Sequence, residues 1–302
     1  MIYRELYAQG CAALEETGIE EAALDARFLL EYVCDTNRND LLVHGERPVT
    51  EEQQGKYREL IERRGKRIPL QHLTGVQDFM GLQFQVNEHV LIPRQDTEIL
   101  VEEVLKELHD GMRVLDMCTG SGCILLSLLH YSNGCEGVGV DVSEEALAVA
   151  RVNAKQILGE TVTISSQNEE TADNADVQDS MKQVHLLQSN LFENVTGQFD
   201  FIVSNPPYIQ SSVIETLMPE VKDHEPRLAL DGTEDGLFFY RKIVEDSRAH
   251  LVSGGMLYFE IGYNQAESVS ALMREAGFAE INVVKDYAGL DRVVYGTYIT
   301  AN

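Results

Sequence analysis

The chain has 302 residues, 44% of them apolar, enough to bury a sizeable core and long enough to suggest two domains. Its 50 acidic and 24 basic side chains leave a net charge of −26, the opposite of the basic footprint that a protein gripping nucleic acid needs against phosphates. The cysteines Cys11, Cys34, Cys118, Cys123 and Cys135 form no C-x-x-C pair, so no zinc spacing can be drawn and reduced thiols in a cytoplasmic protein are the simple reading. No signal peptide is recognisable, and no apolar run approaches the ~20 residues that span a bilayer.

Residues 1–75 read as a small helical domain. Ile2, Leu6, Tyr7 and Leu14 fall near helical spacing, and Gly18 ends the run. A second helix is expected over 22–33, with Leu24, Phe28, Leu29 and Val33 near one face. Thr50 followed by Gln53 is a capping box that opens a third, carrying Tyr57, Leu60 and Ile61. The basic cluster Arg63, Arg64, Lys66 and Arg67 is read as a solvated helix end in preference to a nucleic-acid site.

Phe79, Leu82, Phe84, Val86 and Val90, set among glycines and polar residues, predict a β-hairpin over about 77–93, and residues 76–93 are assigned to a linker between domains. From Thr97 the texture alternates, and a domain over 94–302 is expected. Val101, Val104, Leu105 and Leu108 make a helical stripe. Strands are expected over 113–117, 137–140, 184–188, 199–204 and 256–261, with helices over 123–130, 144–158, 236–250 and 265–276, and a closing strand pair over 281–285 and 292–299. Such alternation implies an α/β domain with a mostly parallel sheet and helices on both faces. Residues 159–183, with six acidic side chains, one lysine and many small polar residues, are expected to form a flexible acidic insertion without a core.

The sharpest fold signal is Val114-Leu115-Asp116-Met117-Cys118-Thr119-Gly120-Ser121-Gly122, a strand running into a glycine turn ahead of a helix. Gly120 and Gly122 let the backbone approach a ligand, and the helix start offers free N–H groups and the positive end of its dipole. About 20 residues further on, Asp141 closes Val138-Gly139-Val140-Asp141, where a carboxylate can accept from ribose hydroxyls. That spacing alone also fits nicotinamide dinucleotides. The third glycine of G-x-G-x-x-G is missing, however, because Leu125 stands there. Written as D-x-x-x-G-x-G, the turn resembles motif I of the class I methyltransferases, which implies Asp116 near the methionine part of S-adenosylmethionine and the glycines shaping its pocket. Cys118 stands where many members carry glycine.

Phe199-Asp200-Phe201-Ile202-Val203-Ser204 is an apolar strand leading directly into Asn205-Pro206-Pro207-Tyr208. The prolines fix φ and remove two N–H donors, and each holds the residue before it extended. The local carbonyls are therefore rigid acceptors, with the Asn205 side-chain oxygen beside them. An amide nitrogen is a poor nucleophile because its lone pair is delocalised. Accepting its two N–H bonds at Asn205 Oδ1 and the Pro206 carbonyl would hold the NH2 group and stabilise the charge that develops on attack. Tyr208 can pack its ring on the planar amide. Neither a metal nor a strong general base is needed, since the proton can leave after the methyl arrives.

Asn-Pro-Pro-Tyr after such a strand resembles two families, the DNA adenine-N6 methyltransferases and the HemK/PrmC family of release factor glutamine methyltransferases. Pro69-Leu70-Gln71-His72-Leu73-Thr74-Gly75 with Phe79-Met80-Gly81-Leu82 is similar to the inter-domain region of the second. Leu91-Ile92-Pro93-Arg94-Gln95-Asp96-Thr97-Glu98 resembles its I-P-R-P-[DE]-T-E signature, with Gln95 in place of a proline. Glu225-Pro226-Arg227-Leu228-Ala229-Leu230-Asp231-Gly232 and Glu234-Asp235-Gly236-Leu237 resemble a third.

The resemblance implies a class I, Rossmann-like catalytic domain with a seven-stranded mostly parallel sheet, and an N-terminal helical domain that helps bind the release factor. It implies methylation of the N5 amide nitrogen of the glutamine in the Gly-Gly-Gln motif of class 1 peptide chain release factors, with S-adenosyl-L-homocysteine as the other product. By resemblance Asp116, Cys118, Thr119, Gly120, Ser121, Gly122 and Asp141 face the cofactor, and Asn190 and Leu191 flank its adenine, where many members have Asp then Trp. Asn205, Pro206, Pro207 and Tyr208 hold the glutamine, with Asn205 also bordering the cofactor. Arg94, Thr97 and Glu98 lie close by, and Arg227 is a structural ion-pair residue. A cytoplasmic monomer without metal, membrane or DNA contact is expected.

Three rivals differ in class. A DNA adenine-N6 methyltransferase conflicts with the charge of −26. A dinucleotide-dependent oxidoreductase leaves Asn-Pro-Pro-Tyr without a task. A non-catalytic cofactor-binding module would make Asn205 dispensable.

Overall fold

The computed structural model describes residues 1–159, 163–165 and 183–299. In chain order its elements are α1 (Tyr3–Glu16), α2 (Ala22–Cys34), α3 (Arg38–Val43), α4 (Glu51–Gly65), α5 (Leu70–Thr74), β1 (Val76–Phe79), β2 (Leu82–Gln85), α6 (Gln95–Glu107), β3 (Arg113–Met117), α7 (Cys123–Tyr131), β4 (Glu136–Asp141) and α8 (Glu144–Leu158). They continue with β5 (Thr163–Ser165), β6 (Gln183–Gln188), β7 (Phe199–Ser204), α9 (Ser211–Ile214), α10 (Pro219–Lys222), α11 (Arg227–Leu230), α12 (Phe238–His250), β8 (Leu251–Glu260), α13 (Ala266–Glu275), β9 (Phe278–Lys285) and β10 (Asp291–Tyr298). No described helix is long and apolar enough to cross a membrane.

The chain forms two compact units, one of Met1–Val76 with Met218–His224, the other of Gln77–Leu217 with Glu225–Asn302. The first is helical. Leu6, Leu14, Leu29, Leu30, Tyr57 and Leu60 share its core. The Thr50 hydroxyl accepts from Gln53 N at 3.2 Å, and the Gln53 side chain accepts from Thr50 N at 3.1 Å, the reciprocal capping that the sequence announces.

The basic cluster is the solvated helix end expected at Arg63 and Lys66, which are exposed, but not at Arg64 and Arg67. Arg64 is 8% exposed and donates to Asp25 at 2.6 Å and to Glu220 at 3.0 Å, while Arg67 also reaches Glu220 at 3.2 Å. These bonds tie α10, from far along the chain, into the helical unit. Leaving such a buried guanidinium unpaired would be costly, so its carboxylates are part of the fold.

In the second unit the hairpin is shorter than expected: strands cover β1 and β2 only, and Phe79 and Phe84 are buried in the core. The main sheet has the order β5-β6-β4-β3-β7-β8-β10-β9, with β10 alone antiparallel to its neighbours. It therefore has eight strands where seven were expected. The extra one, β5, is a three-residue edge strand inside the segment read as a coreless insertion. The rest of that segment, 160–162 and 166–182, lies outside the described residues.

β3 sits at the centre because its side chains, burying both faces, need cover from each side. The chain winds outward from β3 through β4 to β6, then returns to β7 on the other flank. In an open α/β sheet this reversal leaves a crevice beyond the carboxyl ends of the strands. Met117 pairs with Val140 on one side and with Ser204 on the other. Cys118, Asp141 and Asn205, the next residues of their strands, consequently leave the sheet side by side.

Candidate active site

That crevice is a cavity of about 190 Å³. Of the residues singled out in the sequence, Cys118, Thr119, Gly120, Ser121, Asp141, Asn190, Leu191, Asn205 and Pro207 line it, as do Arg94 and Thr97. Asp116, Gly122, Pro206 and Tyr208 do not. Glu98 instead accepts from Met80 N at 2.7 Å, and Arg227 is an exposed ion-pair residue with Glu215 and Asp231.

The glycine loop is held from below. Asp116 is fully buried, and one of its oxygens accepts from the Thr119 hydroxyl at 2.6 Å, while the other has no partner among the described residues. Burial pushes its carboxyl up to about 7, with Thr119 acting against the shift. Asp116 thus braces Thr119 and reaches the cavity only through it. Asp141 accepts from Gly120 N and Ser143 N, each at 2.9 Å. Its burial raises the pKa, and those backbone N–H groups pull it back.

Gly120 adopts φ +55°, and a Cβ built there would meet nothing within 4 Å. Its free face points into open space at the start of α7, where a ligand can approach the backbone. Cys118 adopts φ +65° with a side chain present, a conformation that costs an L residue roughly 1–2 kcal/mol. Burial pushes the Cys118 thiol up, and the Cys123 thiol up to about 12, so both stay protonated and neither is a reactive thiolate. Leu191 also has positive φ, +51°, while the Asn190 amide donates to Glu193 at 2.7 Å.

The tetrapeptide is clamped at both ends. Ser204 Oγ donates to the Met117 carbonyl at 2.6 Å, locking β7 to β3. Asn205 Nδ2 donates to Thr97 Oγ1 at 3.4 Å, which leaves Oδ1 as the free acceptor of that amide. The Tyr208 hydroxyl donates to Glu260 at 3.4 Å, and the Tyr208 carbonyl accepts from Gln265 Nε2 at 3.2 Å. Gln265 also donates to the Gly236 carbonyl at 3.1 Å and accepts from Gly262 N at 2.9 Å. Two signature stretches meet beside it: Arg94 donates to the buried Glu225, which also accepts from Ile92 N at 3.4 Å.

Sequence reasoning missed several of these residues. Glu260 and Gln265 are single polar residues at the edge of apolar runs. Asn153 is one polar residue in α8, fully buried, and it donates to Ser121 O at 2.9 Å and Gln85 O at 3.1 Å while accepting from Gln85 N at 2.7 Å. It joins the glycine loop to the hairpin end. Asn153→Ala should cost about 1–3 kcal/mol, since buried partners are left unsatisfied, and should weaken cofactor binding. Urea unfolding and cofactor titration check both. Val90 packs with Val86, Ala146 and Val149, which brings Glu88, His89 and Val90 to the cavity wall. Among the described residues no group of His, Cys, Asp and Glu is arranged to hold a metal ion.

A family model described as the PrmC N-terminal domain matches residues 5–75, and one described as a methyltransferase domain matches residues 108–230. The chain is similar to the release factor glutamine methyltransferase of Caulobacter vibrioides, with 40% identity over 94% of this chain and 92% of that protein. It is 41% identical to the release factor glutamine methyltransferase of Geobacter sulfurreducens, over 94% and 92%. Among solved structures, a protein-(glutamine-N5) methyltransferase (release factor-specific) from Alicyclobacillus acidocaldarius is 29% identical, with a TM-score of 0.39, over 72% of this chain and 100% of that one.

Proposed function

The chain belongs to the release factor glutamine methyltransferases, and on that premise we propose that it methylates the side-chain amide nitrogen, N5, of the glutamine in the Gly-Gly-Gln motif of class 1 release factors. The observation that carries this reading is the Asn205 side chain. Its Nδ2 is engaged by Thr97, so a free acceptor oxygen remains at the edge of the same cavity that holds the glycine loop and Asp141.

S-adenosylmethionine, when bound, supplies an electrophilic methyl on a sulfonium. The residues present suit it: an open face over Gly120 and a carboxylate at Asp141 for ribose hydroxyls. Thr119, Gly120 and Ser121 would border its methionine part, and Asn190 and Leu191 its adenine. Leu191 offers an apolar face where other members stack an aromatic ring.

Asn205 Oδ1 and the Pro206 carbonyl would accept the two N–H bonds of the substrate amide. Held this way, the nitrogen faces the methyl in line, and positioning of that kind can supply roughly 7–11 kcal/mol of the barrier. The same acceptors offset the positive charge that grows on nitrogen. Pro207 and the Tyr208 ring would border the flat amide. The helical unit, matched over residues 5–75, is assigned to docking of the release factor, and the reaction to the cytoplasm, where release factors act.

Transfer of labelled methyl from S-adenosylmethionine to a purified class 1 release factor, measured beside duplex DNA, tests the reading. Label in the release factor and none in DNA is expected. Label in DNA adenine alone would mean that the tetrapeptide serves the other family that carries it. The charge of −26 argues against that outcome.

A further inference from the structure

The strand order decides which end of the cofactor meets which loop. The methyl has to lie at Asn205, beyond β7, and the ribose at Asp141, beyond β4. In the order β6-β4-β3-β7, the part furthest from the methyl passes β4 and reaches the end of β6. Gln188 of β6 pairs with Asp141, and Ser189 N donates to the Asp141 carbonyl at 3.0 Å. Asn190 is the next residue and lines the cavity, so the purine base is set beside it.

A side-chain amide is ambivalent towards a purine. Turned one way it accepts from a 6-amino group; turned the other way it donates to a 6-oxo group. Here one side of the amide is already taken. Asn190 Nδ2 donates to Glu193 Oε1 at 2.7 Å, and an ionised carboxylate only accepts, so reversing the amide forfeits that bond. Asn190 lines both the cofactor cavity and a second, neighbouring hollow, whereas Glu193 lines only the second. Nδ2 therefore points out of the cofactor cavity, and Oδ1 is left on the cavity side. The turn that carries the pair is braced from within. Ser189 Oγ donates to the Leu191 carbonyl at 2.8 Å and accepts from Asn194 N at 2.9 Å, and Glu193 N donates to the Asn190 carbonyl at 3.3 Å.

We propose that Glu193 is a positioning residue that acts through Asn190: by holding Nδ2 it presents Oδ1 to the base, and so selects a 6-amino purine over a 6-oxo purine. The inference rests on the reading of this cavity as the S-adenosylmethionine site. With the amide reversed, Nδ2 would face the 6-amino group, two donors with nothing to accept. Oδ1 would at the same time face the Glu193 carboxylate, two acceptors with nothing to share. A 6-oxo purine meets the converse difficulty. It brings a carbonyl oxygen towards Oδ1, and Asn190 can serve it only by giving up Glu193.

The test is calorimetric titration with S-adenosyl-L-homocysteine, whose base is adenine, and with S-inosyl-L-homocysteine, whose hypoxanthine carries a 6-oxo group. Thermal unfolding of each variant checks the fold. The wild type is expected to bind the adenine compound about tenfold more tightly or better. Glu193→Gln keeps the shape but can donate as well as accept, which frees Asn190 to reverse; the ratio of the two affinities should fall about fivefold or more. Asn190→Asp combined with Glu193→Gln should restore the ratio, because a carboxylate at position 190 only accepts, whatever stands at 193. Equal binding of the two compounds by the wild type, or a Glu193→Gln variant whose ratio is unchanged, overturns the positioning role while the cofactor site stands. A wild type that binds neither compound overturns both.

Discussion

Replacing Asn205 by alanine is expected to lower kcat for methyl transfer by about 10²–10³-fold, or ~2.7–4 kcal/mol, the scale of losing one preorganised polar group at a reacting centre. β7 delivers Asn205 at the level of Cys118 and Asp141 because Met117 is in register with both Val140 and Ser204. Ser204 Oγ on the Met117 carbonyl fixes that level, and the two prolines remove backbone freedom beyond it. An alanine keeps all of this and deletes only the acceptor. Thermal stability should change little, since Asn205 is half-buried and its side-chain bond to Thr97 is long at 3.4 Å. KM for S-adenosylmethionine should rise far less than kcat falls. Single-turnover kinetics at saturating cofactor measure the step directly. A non-catalytic cofactor-binding module would show no such loss.

The second large effect is expected from a residue that touches no substrate. Gly236 adopts φ +73°, and a Cβ there would lie 2.4 Å from the Tyr208 carbonyl oxygen and 2.9 Å from Gln265 Nε2. No real Cβ survives at such a distance, so Gly236→Ala must move the tetrapeptide, break the Gln265 clamp, or both. A displacement of about 1 Å at a reacting group can cost about 100-fold in rate, and that is the expected fall in kcat. The left-handed conformation adds roughly 1–2 kcal/mol of instability for an alanine. Cofactor affinity should be nearly unchanged, because the glycine loop is braced separately by Thr119, Asp141 and Asn153. Cofactor titration beside kcat separates the two. Equal losses in cofactor binding and turnover would show that the loops are not independently supported.

How much of this was legible in the sequence depends on whether the signal is local. The glycine turn, Asp141 and Asn-Pro-Pro-Tyr announce themselves because each joins a strand to backbone geometry that few residues permit. The sheet followed from alternation, apart from β5, whose three residues carry too little pattern to separate them from the polar segment around them. The capping box at Thr50 was readable because both partners lie within one turn. The missed features are pairings across long separations. Nothing near Arg64 indicates that Glu220 lies beside it, and nothing near Tyr208 indicates that Gln265 holds its carbonyl. Asp116 was expected beside the cofactor because motif spacing describes the chain and not the direction of a side chain. On β3 that carboxylate is fully buried and braces Thr119.

The central claim is that the cavity takes an amide nitrogen of glutamine. Its most direct test is incubation of the protein with S-adenosylmethionine and a purified class 1 release factor, followed by peptide mass spectrometry with fragment-ion mapping. The account predicts one methyl, on the glutamine of the Gly-Gly-Gln loop, absent from reactions with Asn205→Ala over the same period. A methyl on another residue, or an unmodified glutamine beside methylated adenine when DNA is supplied, would contradict it.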